Sequence, residues 1–101
     1  MKYTGKYTDG KYLVYKDDVE LDISRSQQLQ KISEHYCWGY YGQGPSQTAL
    51  AILLDVTNDS DIVLKHWIDF RNEFISTFDM DRDWELDGEN IKNWVNFKEI
   101  D

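Results

Sequence analysis

The stretch that decides the fold is residues 38–55, which read WGYYGQGPSQTALAILLD. From Ala49 onward it leaves no wide polar face, which is typical of a helix buried on most sides. Pro45 suits the first position of such a helix, because proline has no N–H group to leave unpaired there. Three glycines and three aromatic residues come directly before it. We therefore predict a central buried helix that begins near residue 45 and is entered through a glycine-rich segment.

Two interpretations of this glycine-rich segment stay open. Glycines let backbone N–H groups approach a ligand, and the first turn of a helix attracts anions, which favours a phosphate or nucleotide site. The candidate ligand-binding residues are then Trp38, Tyr40, Tyr41, Gly42, Gly44, Ser46 and Gln47, with a ring stacking on a base. In the other interpretation the glycines make a tight entry into the helix, the tyrosines pack on the sheet and Ser46 caps the helix. Known nucleotide motifs do not match, because Pro45 replaces the P-loop lysine and Gln47 replaces the third glycine of a dinucleotide fingerprint.

The amino-terminal residues predict a β-hairpin. Lys2–Tyr7 and Lys11–Lys16 are rich in Tyr, Thr and Val and flank Asp9-Gly10, a pair suited to a type I′ turn. In that register one sheet face carries Tyr3, Gly5, Tyr7, Tyr12 and Val14. Val19–Ile23 alternates with period two and predicts a third strand that continues the meander.

The rest of the chain predicts two further helices and one short element. Asn58-Asp59-Ser60 supplies an N-cap, and Asp87 caps a last helix that follows a short element at residues 84–86. The predicted apolar stripe of the first of these helices is Leu64, Trp67, Ile68, Arg71, Phe74, Ile75 and Phe78. Residues 24–38 favour no single element. The predicted fold is α+β, with a small antiparallel sheet packed against about three helices, in a single domain over residues 1–101.

Charge and composition exclude several classes of function. Eleven basic and nineteen acidic side chains give a net charge of -8, which repels nucleic-acid phosphates and anionic lipid. We therefore expect no direct nucleic-acid binding and no membrane binding. One cysteine, no long apolar run and no signal-peptide pattern favour a protein of the bacterial cytoplasm. The tyrosine-bearing hairpin and four tryptophans favour a homodimer, because they exceed what one small core readily covers.

The negative charge is concentrated in one run of sequence. Residues 51–101 hold thirteen acidic and five basic side chains, and every odd position from 79 to 89 is acidic. In an extended chain these carboxylates would lie about 6.7 Å apart on one face, a spacing similar to that of phosphates along a nucleic-acid strand. The candidate partner-binding residues are then Asp79, Asp81, Asp83, Glu85 and Glu89. In the other interpretation the acids keep an edge strand from pairing, and Asp87 only caps a helix.

Metal and catalytic motifs are incomplete. The aspartates that open the acidic run are spaced like the start of an EF-hand loop, but Trp84 replaces its glycine and Asn90 its bidentate glutamate. Cys37, His35 and His66 do not have the spacing of a structural zinc site. Cys37, beside a tryptophan, is more typical of a buried thiol than of a nucleophile. We therefore expect no cofactor, no metal site and no catalytic residue.

One resemblance can be stated from the motif Trp-Gly-Tyr-x-Gly-x-Gly-Pro-x-Gln-x-Ala-Leu-Ala-x-Leu-Leu-Asp of residues 38–55. Together with Trp84, Leu86, Ile91 and Trp94 it resembles a small uncharacterised family found in bacteria, phages and mobile elements, over roughly the whole chain. That family has no established activity. The resemblance therefore implies a genomic setting and assigns no site residues.

These observations favour a non-catalytic binding protein. The first hypothesis is an acidic, anti-CRISPR-like inhibitor that occupies the basic, nucleic-acid-binding surface of a host defence protein through its carboxyl-terminal half. The alternative is a small-ligand module that holds a phosphate or nucleotide signal at the glycine-rich segment. An enzyme is disfavoured, because paired acid and base groups cannot be located in the sequence.

Overall fold

A computed structural model describes residues 1–100. Within these residues four strands form one antiparallel sheet in the order β3-β2-β1-β4. The strands are β1 (Lys2–Thr8), β2 (Lys11–Lys16), β3 (Val19–Glu20) and β4 (Trp84–Asp87). The helices are α1 (Ser24–Leu29), α2 (Gln43–Thr57), α3 (Ser60–Glu73) and α4 (Gly88–Glu99), with a 3-10 turn at Ile75–Thr77. The predicted α+β fold is confirmed, and α1 is a fourth helix in a region whose sequence favoured no element.

The amino-terminal hairpin has the predicted turn and register. Asp9 and Gly10 have φ angles of 50° and 80°, and a type I′ turn requires positive φ at both positions. Tyr7 pairs with Tyr12 across the two strands. The face that carries Tyr3 and Val14 is turned toward the core, where both side chains are fully buried.

The third strand is shorter than predicted. β3 ends at Glu20, although the Leu21 N–H still donates to the Val14 carbonyl at 2.8 Å. The chain then turns away, because the Asp22 carboxylate accepts the Ser24 N–H at 2.9 Å where α1 begins. This backbone hydrogen bond also lowers the pKa of Asp22. A side-chain contact at a helix start thus replaces the rest of the strand ladder, and one edge of β2 remains only partly covered.

Helix α2 lies at the centre of the molecule, as predicted. Its buried residues run without a break over residues 44–54. The helix begins at Gln43, so the prediction that Pro45 is its first residue is wrong; a proline fits in the third position because the first N–H groups of a helix have no intrahelical partner. The prediction that Ser46 is a cap is also wrong. Ser46 is the fourth helical residue, and its hydroxyl donates to the Gly42 carbonyl at 2.6 Å.

Helix α3 is capped as predicted but buries a different stripe. The Asp59 carboxylate accepts N–H groups from the first turn at 3.1 and 3.2 Å. Leu64 and Ile68, placed in the predicted apolar stripe, are 46% and 50% exposed. The buried stripe is Val63, His66 and Phe70. Apolar residues cover a wide arc of this helix, and packing against α2 buries only part of that arc. The helix ends at Glu73, so the last three residues of the predicted stripe, Phe74, Ile75 and Phe78, lie beyond it.

Helix α4 closes the fold. The Asp87 carboxylate accepts the Glu89 N–H at 2.8 Å, which confirms the predicted N-cap. Ile91 and Val95 are buried against the core, and Trp94 lies half-buried beside them. None of the helices within residues 1–100 has both the length and the apolar composition needed to cross a bilayer.

Candidate functional site: the glycine-rich segment and the acidic run

Trp38 is an internal anchor of the fold. Its side chain is fully buried, and its indole Nε1 donates to the Arg82 carbonyl at 3.0 Å. Its ring meets Tyr12 and Trp84 edge-on, with centroids 4.8 and 5.4 Å apart. The ring named as a candidate for base stacking is therefore covered on both sides by the protein itself.

The three glycines of the segment each allow a close contact. Gly39 has a φ of 93°, and a Cβ at this position would meet the backbone of residues 78 and 80. A Cβ at Gly42 would meet the ring of Tyr40, and one at Gly44 would meet the Cβ of Cys37. These contacts favour the interpretation in which the glycines form a tight entry into α2.

Gln47 is fully buried, and its amide joins α2 to residues 26–33. Its Oε1 accepts the N–H groups of Ile32 and Ser33 at 2.7 and 2.9 Å. Its Nε2 donates to the Ser26 hydroxyl at 2.9 Å and to the Gln30 carbonyl at 3.2 Å. Both ends of the amide are therefore occupied by the chain, which gives Gln47 a structural role in holding α1 and the loop after it.

Arg71 is a residue of this site that the sequence analysis assigned to the core stripe of α3. Its guanidinium carbon lies 5.5 Å from the ring centroid of Trp67 and 5.9 Å from that of Tyr41. One guanidinium nitrogen donates to the Ser46 hydroxyl at 3.1 Å. No carboxylate within residues 1–100 forms an ion pair with Arg71. Arg71 is the one charged residue of the predicted apolar stripe and follows Trp67 by one helical turn. That pattern is the signal that could have indicated a cation beside an aromatic ring.

An open cavity of about 610 Å³ lies on the sheet side of the glycine-rich segment. Tyr12, Cys37 and Tyr40 line it, together with Gln43 and Lys11. Partial burial and the neighbouring Cys37 thiol raise the pKa of Tyr12 to about 12 and also raise the pKa of Tyr40. Of the predicted ligand-binding residues, Tyr40 and Gly44 line this cavity, whereas Tyr41 lies near Arg71.

The acidic run adopts three local structures. Residues 79–83 are irregular, residues 84–87 form the edge strand β4, and residue 89 belongs to the first turn of α4. Trp84 and Leu86 face the core, so Asp83, Glu85 and Asp87 alternate on the outward face. The predicted extended row of six carboxylates is therefore not formed, and only three of its carboxylates share one face.

The acidic side chains remain exposed and are loosely paired. The side chains of Asp79, Glu85 and Glu89 are 72%, 65% and 67% exposed. Four lysine or arginine side chains lie 3.6–3.8 Å from carboxylates of the run: Lys2 from Glu85, Lys6 from Asp83, Arg82 from Asp79 and Lys92 from Glu89. Exposed pairs of this kind contribute about 0–1 kcal/mol each. Asp83 also accepts the Tyr7 N–H at 2.8 Å, which fastens the run to β1.

The described part of the chain, residues 1–100, contains no group of three or more His, Cys, Asp or Glu side chains arranged to hold a metal ion. His66 is buried, and its ring nitrogen lies 2.6 Å from the Glu99 carboxylate. That contact lowers the pKa of Glu99 and joins α3 to the end of α4. His66 therefore has a structural partner in the fold.

Comparison with known proteins gives one match. No curated protein and no solved structure matches the chain significantly. The profile of a family of unknown function, DUF6166, matches residues 3–97, which include the glycine-rich segment, the central helix and the acidic run. Because this match covers nearly the whole chain, the protein belongs to DUF6166, a family of unknown function.

Proposed function

We propose that this protein is a non-catalytic binding protein whose acidic run occupies a basic surface on a partner protein. The observation that carries the proposal is an outward row of carboxylates formed by Asp83, directly before edge strand β4, and by Glu85 and Asp87 on it. The exposed Asp79, Asp81 and Glu89 extend this row at its two ends. Alternate residues of a strand lie about 6.7 Å apart, so these three carboxylates resemble the charge spacing of a phosphate backbone over two steps. A protein surface that normally binds nucleic acid, such as that of a host defence protein, has the complementary charge.

The ion pairs of the run do not prevent such binding. Each joins side chains that are about half-exposed or more at 3.6–3.8 Å, and solvent and salt weaken such pairs. Lysines and arginines of a partner can therefore replace Lys2 and Lys6 beside the carboxylates at small cost. Complementary charge of this kind mainly accelerates association and selects the partner.

The test is neutralisation of the run without a change of shape. The variant carries Asp79→Asn, Asp81→Asn, Asp83→Asn, Glu85→Gln and Glu89→Gln. Its matched control neutralises five exposed acids elsewhere: Asp9→Asn, Asp18→Asn, Asp61→Asn, Asp69→Asn and Glu73→Gln. Partners captured from a bacterial host by the wild type are identified by mass spectrometry, and their affinities for all three proteins are then measured by calorimetry.

We expect the run variant to lose a partner that the control variant retains, and a duplex oligonucleotide to displace that partner from the wild type. Equal affinity of wild type and run variant would contradict the proposal. Equal weakening by both variants would also contradict it, because net charge alone would then account for binding.

A second candidate function is nucleotide binding beside Arg71. The observation that favours it is the Arg71 guanidinium, which lies 5.5 Å from the Trp67 ring centroid and 5.9 Å from that of Tyr41 and donates to Ser46 near the start of α2. A phosphate would bind the guanidinium, and the exposed Tyr41 ring would stack on a base. The Ser46 N–H does not contribute, since it donates to the Gly42 carbonyl at 3.0 Å.

A thermal-shift screen with mononucleotides and cyclic dinucleotides tests this candidate. A ligand at 100 times its dissociation constant stabilises the protein by about 2.7 kcal/mol. Arg71→Gln should remove the shift, whereas Arg25→Gln, which changes an exposed arginine on α1, should keep it. No shift with any nucleotide would rule this candidate out.

A further inference from the structure

Part of the β2 edge has no strand beside it. The Val14 carbonyl points away from β1, because it accepts the Leu21 N–H at 2.8 Å on the outer side. Backbone groups alternate in direction with period two along a strand, so the N–H and carbonyl of Tyr12 point the same way. β3 pairs only with Tyr15 and Lys16. Within residues 1–100, therefore, no strand pairs with Tyr12 on its outer side.

This free edge borders a groove and not a flat surface. Cavities of about 440 and 610 Å³ lie side by side along it and share Tyr12, Leu13, His35 and Tyr36 in their walls. The loop of residues 33–37 forms the opposite wall. We call this space the β2 groove. It occupies the place that β3 would fill if the strand continued past Glu20.

The two ends of the β2 groove differ in charge. Glu20, Asp22 and Glu34 line one end, where the exposed Glu34 also pairs with Lys31 at 2.7 Å. Lys11 is the charged residue that lines the other end. The walls between the two ends are aromatic, with rings from Tyr12, Tyr36 and Tyr40. A segment bound here therefore meets carboxylates at one end and apolar surface along its length.

We propose that the β2 groove binds an extended, lysine- or arginine-containing segment of a partner protein, which adds to the sheet as a strand beside Tyr12. Strand addition satisfies the free backbone groups of an edge, while side chains of the added strand enter the flanking space. The three carboxylates of the groove select a basic residue at one end. The proposal is independent of the acidic run, since β4 lies at the opposite edge of the sheet.

A second copy of this chain fits the groove less well. Two copies that paired edge to edge would bring together molecules that each carry a net charge of -8. Net charge of this size repels a second copy and favours the monomer. The charge of the groove thus favours a basic segment over self-association.

The experiment uses three capped seven-residue probe peptides of alternating valine and threonine. The first has lysine at both ends, the second has glutamate at both ends, and the third is the lysine peptide with alternate backbone nitrogens methylated. Binding is followed by amide shifts in two-dimensional NMR spectra of the ¹⁵N-labelled protein. We expect the lysine peptide to shift the signals of Tyr12, Leu13 and His35 in a saturable manner and the glutamate peptide to bind more weakly. N-methylation should weaken binding about fivefold for each hydrogen bond lost.

Paired variants test the charged end of the groove. Glu20→Gln with Glu34→Gln should weaken the lysine peptide severalfold, whereas the matched control Glu85→Gln with Glu89→Gln should leave its affinity unchanged. Three results would overturn the proposal: no shift with the lysine peptide, equal affinity for the methylated peptide, or concentration-dependent shifts of the same signals without peptide. The last result would indicate that a second copy occupies the edge. Since Glu20 and Glu34 do not belong to the acidic run, failure here would leave the proposed function standing.

Discussion

The glycine-rich segment with the start of α2 and the acidic run are the two most distinctive regions of the sequence, and the fold uses them in opposite ways. Residues 38–48 place Trp38, Gln47 and Thr48 in the fully buried core, with their polar atoms bonded to other parts of the chain. Residues 79–89 keep almost all of their carboxylates in solvent, and four of these carboxylates lie 3.6–3.8 Å from a lysine or arginine nitrogen. The first region specifies the structure, and the second leaves charge free for a partner.

This difference shows that an unusual sequence pattern does not by itself indicate a ligand site. Glycines and aromatic residues before a helix either bind a ligand or pack against the chain itself. Here internal packing accounts for most of these residues. Every glycine of the segment faces a neighbouring side chain or backbone that a methyl group would displace. The region free of such internal contacts is the better candidate for binding, and the following variants test that distinction.

Replacement of Gln47 by Leu should have the largest effect on stability. Leucine has a similar volume, but the variant leaves the Ile32 and Ser33 N–H groups without their acceptor. The Ser26 hydroxyl loses the Gln47 donor and keeps its own bond to the Ile23 carbonyl. Each buried polar group left unpaired costs about 1–3 kcal/mol, so we expect a loss of about 3 kcal/mol or more. Urea unfolding followed by tryptophan fluorescence measures the free energy of unfolding.

Gln43→Leu is the control for this variant, because Gln43 is exposed in the same helix. It should change the free energy of unfolding by no more than about 0.5 kcal/mol. If Gln47→Leu were equally mild and removed ligand binding instead, the glycine-rich segment would be a site and the comparison would fail.

Gly39→Ala should have the next largest effect. Gly39 has a φ of 93°, and its missing side chain leaves room for the Phe78 carbonyl and the Met80 backbone. Left-handed backbone costs an alanine about 1–2 kcal/mol, and the contact adds to that cost, so we expect about 2–3 kcal/mol. Gly10→Ala separates the two causes, because Gly10 has a φ of 80° with open space around it. Equal losses in both variants would show that the contact with residues 78–80 contributes nothing.

Local chemistry explains what the sequence predicted well. The turn at Asp9-Gly10, the buried character of α2 and the caps at Asp59 and Asp87 all depend on residues within a few positions of each other. Positive φ in a tight turn, a continuous apolar run and a carboxylate two or three residues before a free N–H hardly depend on the rest of the chain. The structure confirms each of them.

The errors occurred where distant contacts decide. Whether Leu64 or Val63 of α3 is buried depends on how the helix packs on α2, and both choices fit a spacing of three and four. The length of β3 depends on the Asp22 contact at the start of α1. Among the candidate site residues, the buried role of Gln47 was not predicted, because its hydrogen-bond partners lie 14–21 positions earlier in the chain. The β2 groove was not predicted for the same reason, since it exists only where β3 stops short.

Tyr3→Phe should have an intermediate effect that depends on pH. The buried Tyr3 hydroxyl donates to the Asp55 carboxylate, and burial followed by this hydrogen bond raises the pKa of Tyr3 well above its usual range. A tyrosine with a raised folded pKa gives stability that is present below its unfolded pKa of about 10 and lost as the pH rises further. The variant should lose about 1.5 kcal/mol at pH 7, the value of a hydrogen bond to a charged group. It should also lose stability less steeply above pH 10.

Thermal unfolding between pH 7 and 11 measures this difference, with Tyr41→Phe as an exposed control. An unchanged slope in Tyr3→Phe would show that the alkaline loss of stability arises from other tyrosines, such as Tyr36, whose burial also raises its pKa.

Neutralisation of the acidic run should have the smallest effect on stability. It directly tests whether this run, unlike the glycine-rich segment, is dispensable for the fold. Asp79→Asn, Asp81→Asn, Glu85→Gln and Glu89→Gln remove four charges from a chain of net charge -8 and break three of the loose ion pairs. Each pair contributes about 0–1 kcal/mol, while removal of four negative charges reduces repulsion across the molecule. Because these terms oppose each other, the net change should stay within about 1 kcal/mol and shrink further in high salt. Urea unfolding measures this change. A loss above about 2 kcal/mol would exceed what such exposed pairs contribute. The acidic run would then be a structural element, and the reason for assigning it to a partner would be removed.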